Sequence, residues 1–272
     1  MNPIRSYIPG NLHIGTAGWS VPVPSREHFP ETGTHLERYA SVLKAAEINS
    51  SFHRSHKLET YQRWAETVPD DFRFSVKVPK TITHTARLID CSALLNRFLG
   101  EVSGLGSKSK CILVQLPPSL EFDTQVANDF FAELTSATPC DVVVEPRHKT
   151  WFAYSATQML RTLGVSRVAA DPAVVQAASE PGGSTRTVYF RLHGSPTKYF
   201  SPYTASYLDG LAFRLRKYSA ERAPVWCVFD NTIKGEAAAN ALYLDKRIAL
   251  AEMGQVDKAA VQSFPPLVGF RQ

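Results

Sequence analysis

Short runs of hydrophobic, largely β-branched residues recur along the chain, and most of them end in polar side chains. They fall at 12–17, 45–49, 73–78, 110–116, 141–145, 167–171, 187–192 and 225–229, which makes eight strand candidates. Between them lie amphipathic stretches near 34–44, 58–67, 91–103, 124–135, 155–163, 204–218 and 235–250, which predict helices. Asp123-Thr124 supplies N-cap chemistry for one of these, and Leu163-Gly164-Val165 marks the stop of the next. The alternation breaks once, after the sixth run. There Asp171-Pro172 leads through an Ala-rich stretch to Pro181-Gly182-Gly183-Ser184, an irregular excursion or a short helix and turn.

Side chains two apart on a strand share a face. Glu47 and Asn49, Ser75 and Lys77, Glu145 and Arg147, and Arg191 and His193 therefore leave four runs as same-face pairs, while Gln115 and Asp171 end two more. Buried strands that alternate with helices and carry polar groups only at their exits describe an α/β protein with a single (β/α)8 TIM-like barrel. Its strands run parallel, and its site lies at their C-terminal face. The alternative is a doubly wound open sheet, which usually shows a glycine fingerprint after its first strand. Gly15-Thr16-Ala17-Gly18-Trp19 lacks the third glycine and ends in a bulky indole, so the closed barrel is preferred.

The chain has 272 residues, of which 44% are hydrophobic, enough for a large core and consistent with one domain over 1–272. Its net charge of +5 is spread without a basic run, which favours a small anionic ligand over nucleic acid. Cys91, Cys111, Cys140 and Cys227 show no CxxC pair and no zinc-like spacing, and Cys111 and Cys227 fall in strands as small core residues. Met1–Tyr7 lacks an apolar leader segment and nothing later reaches membrane-spanning length, so a reduced, soluble, cytoplasmic protein is expected.

The chemistry concentrates at the strand exits. Glu47 and Glu145 are candidate acid/base carboxylates, and His84 and His193 candidate proton carriers, with salt bridges or loop capping as their structural alternatives. Arg54, Lys77, Arg147 and Arg191 are candidate anion holders. Lys77 would form a Schiff base if desolvated, though a fixed positive charge is the commoner role. Trp19 and Trp151 are candidate pocket walls, and Trp19 could equally plug the barrel top. Asn49, Gln115, Asp171, Asp230 and Asn231 complete the substrate-binding candidates, and the segment Asp230-Asn231 with Lys234-Gly235 is compatible with a phosphate site at a helix start. There is no G-x-S-x-G elbow, no Walker-type loop and no H-E-x-x-H. His53 and His56 with Glu47 could contribute to a metal site, but the many nearby cations favour a bound anion, so neither a metal nor a cofactor is expected.

Taken together, Gly15-Thr16-Ala17-Gly18-Trp19-Ser20, Glu47-Ile48-Asn49-Ser50-Ser51-Phe52-His53-Arg54, Phe74-Ser75-Val76-Lys77 with Thr83-His84, Gln115-Leu116-Pro117-Pro118-Ser119, Glu145-Pro146-Arg147-His148 with Trp151, Arg191-Leu192-His193-Gly194 and Phe229-Asp230-Asn231 resemble the DUF72 (YecE-like) family. The resemblance implies a TIM-like barrel and an unassigned biochemical function. This chain departs from the family pattern at His53, where a tyrosine is usual, near His56, where a proline is usual, and at Asp230, where the last motif is more often Asn-Asn. Each departure falls at the expected mouth, where it would alter ligand preference.

The residues favour an enzyme acting by acid/base chemistry on a small anionic, hydroxyl-rich substrate that bears phosphate or carboxylate. Metal-independent isomerisation, elimination (lyase chemistry) and hydrolysis all fit. A nucleic-acid-binding module would use the same cations for phosphates and Trp19, Phe52 and Trp151 for stacked bases. Metal-assisted phosphoester hydrolysis would need at least three ligands among Glu47, Glu145, Asp171 and the histidines to converge on one point.

Overall fold

The structure, a computed structural model, describes residues 11–221 and 223–252. Met1–Tyr7 and both ends of the expected 1–272 domain lie outside the described residues.

The strands are β1 (Leu12–Ala17), β2 (Ala45–Ile48), β3 (Arg73–Lys77), β4 (Ser109–Gln115), β5 (Asp141–Glu145), β6 (Ser166–Arg167), β7 (Ala169–Asp171), β8 (Gly182–Gly183), β9 (Val188–Leu192) and β10 (Val225–Phe229). They form one sheet in the order β7-β9-β10-β1-β2-β3-β4-β5-β6-β8, parallel throughout except where β8 meets β6. Only Val168 separates β6 from β7. The sixth strand pairs with β5 through its first half and with β9 through its second, so the sheet nearly closes into a barrel. The continuous strand expected over 167–171 is thus divided where it changes partner, and the Val168 amide still donates to the Val144 carbonyl at 2.9 Å. The excursion after it is a 3₁₀ turn at Gln176–Ser179 followed by β8.

The surrounding helices are α1 (His35–Ala40), α2 (Leu58–Thr67), α3 (Ser92–Val102), α4 (Thr124–Ala137), α5 (Tyr154–Thr162), α6 (Ala205–Ala220) and α7 (Glu236–Glu252). Among the described residues no helix is long and apolar enough to cross a membrane. Local chemistry sets several ends. Thr34 and Glu37 close a capping box on α1, the Asp123 carboxylate accepts from the Val126 amide at 2.9 Å, and Gly164 takes a φ of +71° just past α5. Helix α1 stops at Ala40, short of the expected 44, because residues 41–44 turn the chain into β2.

The two faces of the strands carry separate cores. Ala45, Cys111, Leu113, Val143, Val168, Tyr189, Trp226 and Val228 pack together inside the barrel. Their alternates, such as Ala46, Ile112, Val144, Ala169, Phe190 and Cys227, join the larger core beneath the helices. Interior space is tightest near β1. The buried Tyr39 hydroxyl donates to the Ala45 carbonyl at 2.9 Å and accepts from the Thr16 amide at 2.9 Å, stitching β1 to β2. A Cβ on Gly15 would stand 1.9 Å from that same carbonyl oxygen. Gly15→Ala is therefore expected to lower the unfolding free energy by about 3 kcal/mol in urea denaturation, through overpacking against a backbone that cannot yield. A loss under about 0.5 kcal/mol would contradict this β1–β2 spacing.

Candidate functional site

Residues Tyr189, Arg191 and His193 alternate onto the inner face of β9 and its exit, so the strand delivers a phenol, a guanidinium and an imidazole in a column. Arg191 is fully buried at the centre. Its Nε donates to Glu47 Oε2 at 3.0 Å and its Nη2 to Glu47 Oε1 at 2.7 Å, a bidentate pair across the barrel from β9 to β2. Its Nη1 donates to Glu145 Oε2 of β5 at 3.2 Å, and its Nη2 lies 3.0 Å from Asp230 Oδ2 just past β10. The Tyr189 hydroxyl donates to Glu47 Oε2 at 2.9 Å. Burial alone would lower the guanidinium pKa, but Asp230, Glu47 and Glu145 outweigh it and hold the group charged well above its ordinary value.

The imidazole of His193, also fully buried, sits between two carboxylates. Its Nε2 lies 2.8 Å from Glu145 Oε1 and its Nδ1 3.0 Å from Asp230 Oδ2. The first contact is a hydrogen bond; the second is an ion-pair approach that leaves Nδ1 without a well-aligned acceptor among the described residues. Arg147 reaches Glu145 and His193 Nε2 through its Nη2. A protonated Nε2 therefore donates to Glu145, and a bare Nε2 accepts from Arg147. Burial would raise the Glu145 pKa, yet Arg147, His193 and Arg191 together hold it well below the ordinary 4.5. Asp230 is likewise held below its usual range, as Arg191 and then His193 override its desolvation.

Lys77 ends β3 on the same inner face, 5% exposed, with its Nζ 4.1 Å from the Phe52 ring centre. Burial and the Arg191 charge lower its pKa to about 8 against the pull of Glu47, Asp230 and Glu145. Phe52 is held over it because the Ser51 hydroxyl, in the turn after β2, meets the carbonyls of Ile48 at 2.9 Å and Lys77 at 2.6 Å. His84, in a π-helical turn at Thr81–Thr85, meets Phe52 edge-on at 5.0 Å. Asn49 lies half-buried beside the turn, its Oδ1 lacking a partner among the described residues.

Other candidates serve elsewhere. Trp151 was expected to wall the pocket, but it is 1% exposed, packs edge-on against Phe122 and Phe131, and donates from Nε1 to the Leu120 carbonyl at 2.9 Å. Arg191 was expected to hold a substrate anion, yet its donors already face three carboxylates. Asp171 shares the parity of Ala169 on the helix side, and its carboxylate accepts from Tyr203 at 2.7 Å. Trp19 packs edge-on against Trp64 of α2 and Phe74 on the helix side of β3, so it joins the core beneath the helices and neither plugs the barrel top nor walls the pocket. Arg54 is exposed and lines a groove of about 170 Å³ outside the central cluster with His53, Lys80 and Arg97. The His56 ring, 2.8 Å from the Ser50 hydroxyl, packs against Tyr61 and Trp64. Asn231 donates to the Ser201 carbonyl and to Asn240 Oδ1, both at 2.9 Å, tying the β10 exit to α7. Gln115 ends β4 half-buried on the inner parity.

Three contributors went unread in the sequence. Tyr189 lies two before Arg191, so the parity argument extended one step inward would have found it. Lys198 and Tyr199 sit in the loop after β9, with Lys198 Nζ 4.8 Å from the Tyr199 ring and that ring edge-on to His193 at 5.6 Å. Burial and the Arg147 charge lower the Lys198 pKa, which places its amine beside the same cluster. A different cleft, about 420 Å³ and lined by Arg161, Gly164 and Arg186, lies at the opposite end where α5 leads into β6 and holds none of this chemistry. Among the described residues no three His, Cys, Asp or Glu side chains converge as a metal-ligand set.

The family model of DUF72, a protein of unknown function, matches residues 13–263. The chain belongs to the DUF72 family. It is 33% identical over 172 residues to the UPF0759 protein YecE of Escherichia coli, an alignment that covers 61% of each protein. The match thus spans under two thirds of that curated relative. Among solved structures it is similar to a DUF72 protein of Enterococcus faecalis, at a TM-score of 0.72 and 20% identity over 96% of this chain and 99% of the other. A DUF72 protein of Thermotoga maritima aligns at 0.71 and 23% identity, over 86% and 98%. These likenesses establish the shared barrel; the chemistry rests on the side chains.

The buried charges make acid the natural destabiliser. Because the folded pKa values of Glu145 and Asp230 lie below their ordinary 4.5 and 3.8, both carboxylates stabilise the fold at neutral pH. That stability is lost as pH falls below about 4.5 and on through the folded values. Urea titrations should show this acid slope, and Glu145→Gln should flatten it. Arg191→Met should cost about 3–5 kcal/mol at neutral pH by stranding three buried carboxylates. A neutral effect would mean the carboxylates reach water in solution.

Proposed function

We propose that the barrel mouth is an acid/base catalytic site for a small anionic, hydroxyl-rich substrate bearing a phosphate or carboxylate. The observation that carries this reading is the His193 imidazole between Glu145 and Asp230 at 2.8 and 3.0 Å, at the strand exits of a parallel barrel. A histidine whose Nε2 has a partner in either protonation state can take and return a proton at that atom without stranding it. Glu145 and His193 then act as the proton-transfer pair, with Asp230 orienting the ring from behind. Arg147 and Lys198 hold the anion, and Arg191 and Glu47 fix the geometry without touching substrate.

The division of cations follows from their partners. Arg191 is saturated, whereas the buried Nε of Arg147 has no hydrogen-bond partner among the described residues, leaving a guanidinium edge for an incoming carboxylate or phosphate. Isomerisation, elimination and hydrolysis all use this set, since each needs one proton moved beside a stabilised negative charge.

Deuterium wash-in tests the reading while the substrate is still unidentified. A panel of phosphorylated and carboxylated hydroxy and keto compounds is incubated with the protein in D2O and followed by proton NMR, with phosphate release measured in parallel. One class should exchange or turn over, Glu145→Gln should slow it by about 100-fold or more, and Arg147→Ala should act mainly on KM. Single-stranded nucleic acid bound with a steep salt dependence, together with an inert panel, would transfer the site to the binding-module reading.

A further inference from the structure

Lys77 and Lys198 are the two cations at the central cluster with no hydrogen bond or ion pair to a carboxylate among the described residues, and of the two only Lys77 is buried on the inner face of a strand, while Lys198 is half-buried in a loop. Glu47 is taken by Arg191 and Tyr189, Glu145 by Arg147, His193 and Arg191, and Asp230 by Arg191 and His193. What Lys77 has instead is the face of Phe52 at 4.1 Å, an apolar surface that shields the amine without accepting its proton. A buried amine at a barrel mouth, kept apart from every matching carboxylate and flanked by proton carriers, is poorly placed as a structural cation and well placed as a nucleophile.

We propose that Lys77 is a Schiff-base lysine, whose amine adds to the carbonyl carbon of a small anionic ketone or aldehyde held at the barrel mouth. The proposal rests on the acid/base reading of the same site and narrows its substrate class to carbonyl compounds. The nitrogen lone pair forms the C–N bond while the carbonyl π pair moves to oxygen. That oxygen takes one proton, the nitrogen gives one up, and a neutral carbinolamine results. A second proton on the hydroxyl lets it leave as water as the nitrogen pair forms the C=N bond. One amine, one carbonyl and one proton thus become one iminium and one water, and hydrolysis reverses the balance. His193, or His84 across the Phe52 ring, supplies the protons. The iminium then draws electrons from the neighbouring carbon, whose proton or C–C bond becomes labile to Glu145 and His193.

The lowered pKa of about 8 agrees with this role, because a useful fraction of the amine is unprotonated near neutrality. The charged and titratable groups that act on Lys77 come from every side: Arg191 from β9, Glu47 from β2, Glu145 from β5, Asp230 from the β10 exit and His84 from the π turn. Arg191 disfavours the ammonium and the three carboxylates favour it. A variant that removes one of them should therefore move the titration as well as the chemistry.

The test is reductive trapping on the full chain. Pyruvate, dihydroxyacetone phosphate and formaldehyde are each presented with sodium cyanoborohydride across a pH series, and peptide mapping by mass spectrometry locates the adducts. Lys77 should be modified about tenfold or more faster than exposed Lys57 and Lys149, with a rate that rises through a midpoint near 8. Lys77→Arg, checked for folding by its thermal melt, should lose this fast adduct and keep the slow surface ones. Modification of Lys77 no faster than the surface lysines with all three probes would overturn the proposal. If that happened while Glu145→Gln still abolished deuterium wash-in, the nucleophile would fall and the acid/base site would stand.

Discussion

The interaction on which the rest of this structure depends is the buried guanidinium of Arg191, held by carboxylates from β2, β5 and the β10 exit. A charge taken out of water costs several kcal/mol, and the cost is offset only when geometry and hydrogen bonds are both good. Here the bidentate Glu47 pair provides the geometry, and Glu145 and Asp230 provide the remaining acceptors. Because each partner comes from a different strand, satisfying Arg191 also fixes where those strand ends stand relative to one another. The same carboxylates then bracket His193. Their orientation toward the imidazole is inherited from their obligation to the arginine.

That inheritance separates scaffold from chemistry among residues of the same type. Arg191 and Arg147 are both guanidiniums at the mouth, but the first spends its donors inside the cluster and the second keeps an unpaired Nε. Lys77 and Arg191 are both buried cations on inner-face positions. One is matched by carboxylates and held charged, while the other rests on an aromatic ring and sits near its titration point. The site is therefore an overdetermined ionic frame surrounding a few underdetermined groups, which is the pattern expected where stability is conceded to function.

Much of the frame is legible in the sequence alone, since period-two parity says which residues share a face whatever the fold. Glu47, Lys77, Glu145, Arg191 and His193 stand on one inner face because the hydrophobic runs preceding them do. Ending a run was not enough at Asp171, because alternation from inward-facing Val168 carries it with Ala169 to the helix side. Parity was also silent about partners. Whether an arginine binds substrate or a neighbouring carboxylate depends on contacts across about a hundred residues, as from Glu47 to Arg191 at a separation of 144. Trp151 misled for a related reason: its indole caps a helix-side aromatic cluster with Phe122 and Phe131, and no local pattern distinguishes that from a pocket wall. Lys198 and Tyr199 were passed over because a loop side chain has no parity to read.

The proposed division of labour has Arg191 organising the frame and Arg147, Lys198 and Lys77 facing the ligand. A crystal structure grown with phosphate and soaked in turn with pyruvate tests it most directly. The account predicts anion density against Arg147 and Lys198 at the strand exits, with the pyruvate carbonyl carbon at the Lys77 amine and Arg191 still bound to Glu47, Glu145 and Asp230. Density lying on Arg191 with Glu47 displaced, or anions confined to the outer groove at Arg54 and Arg97, would contradict it.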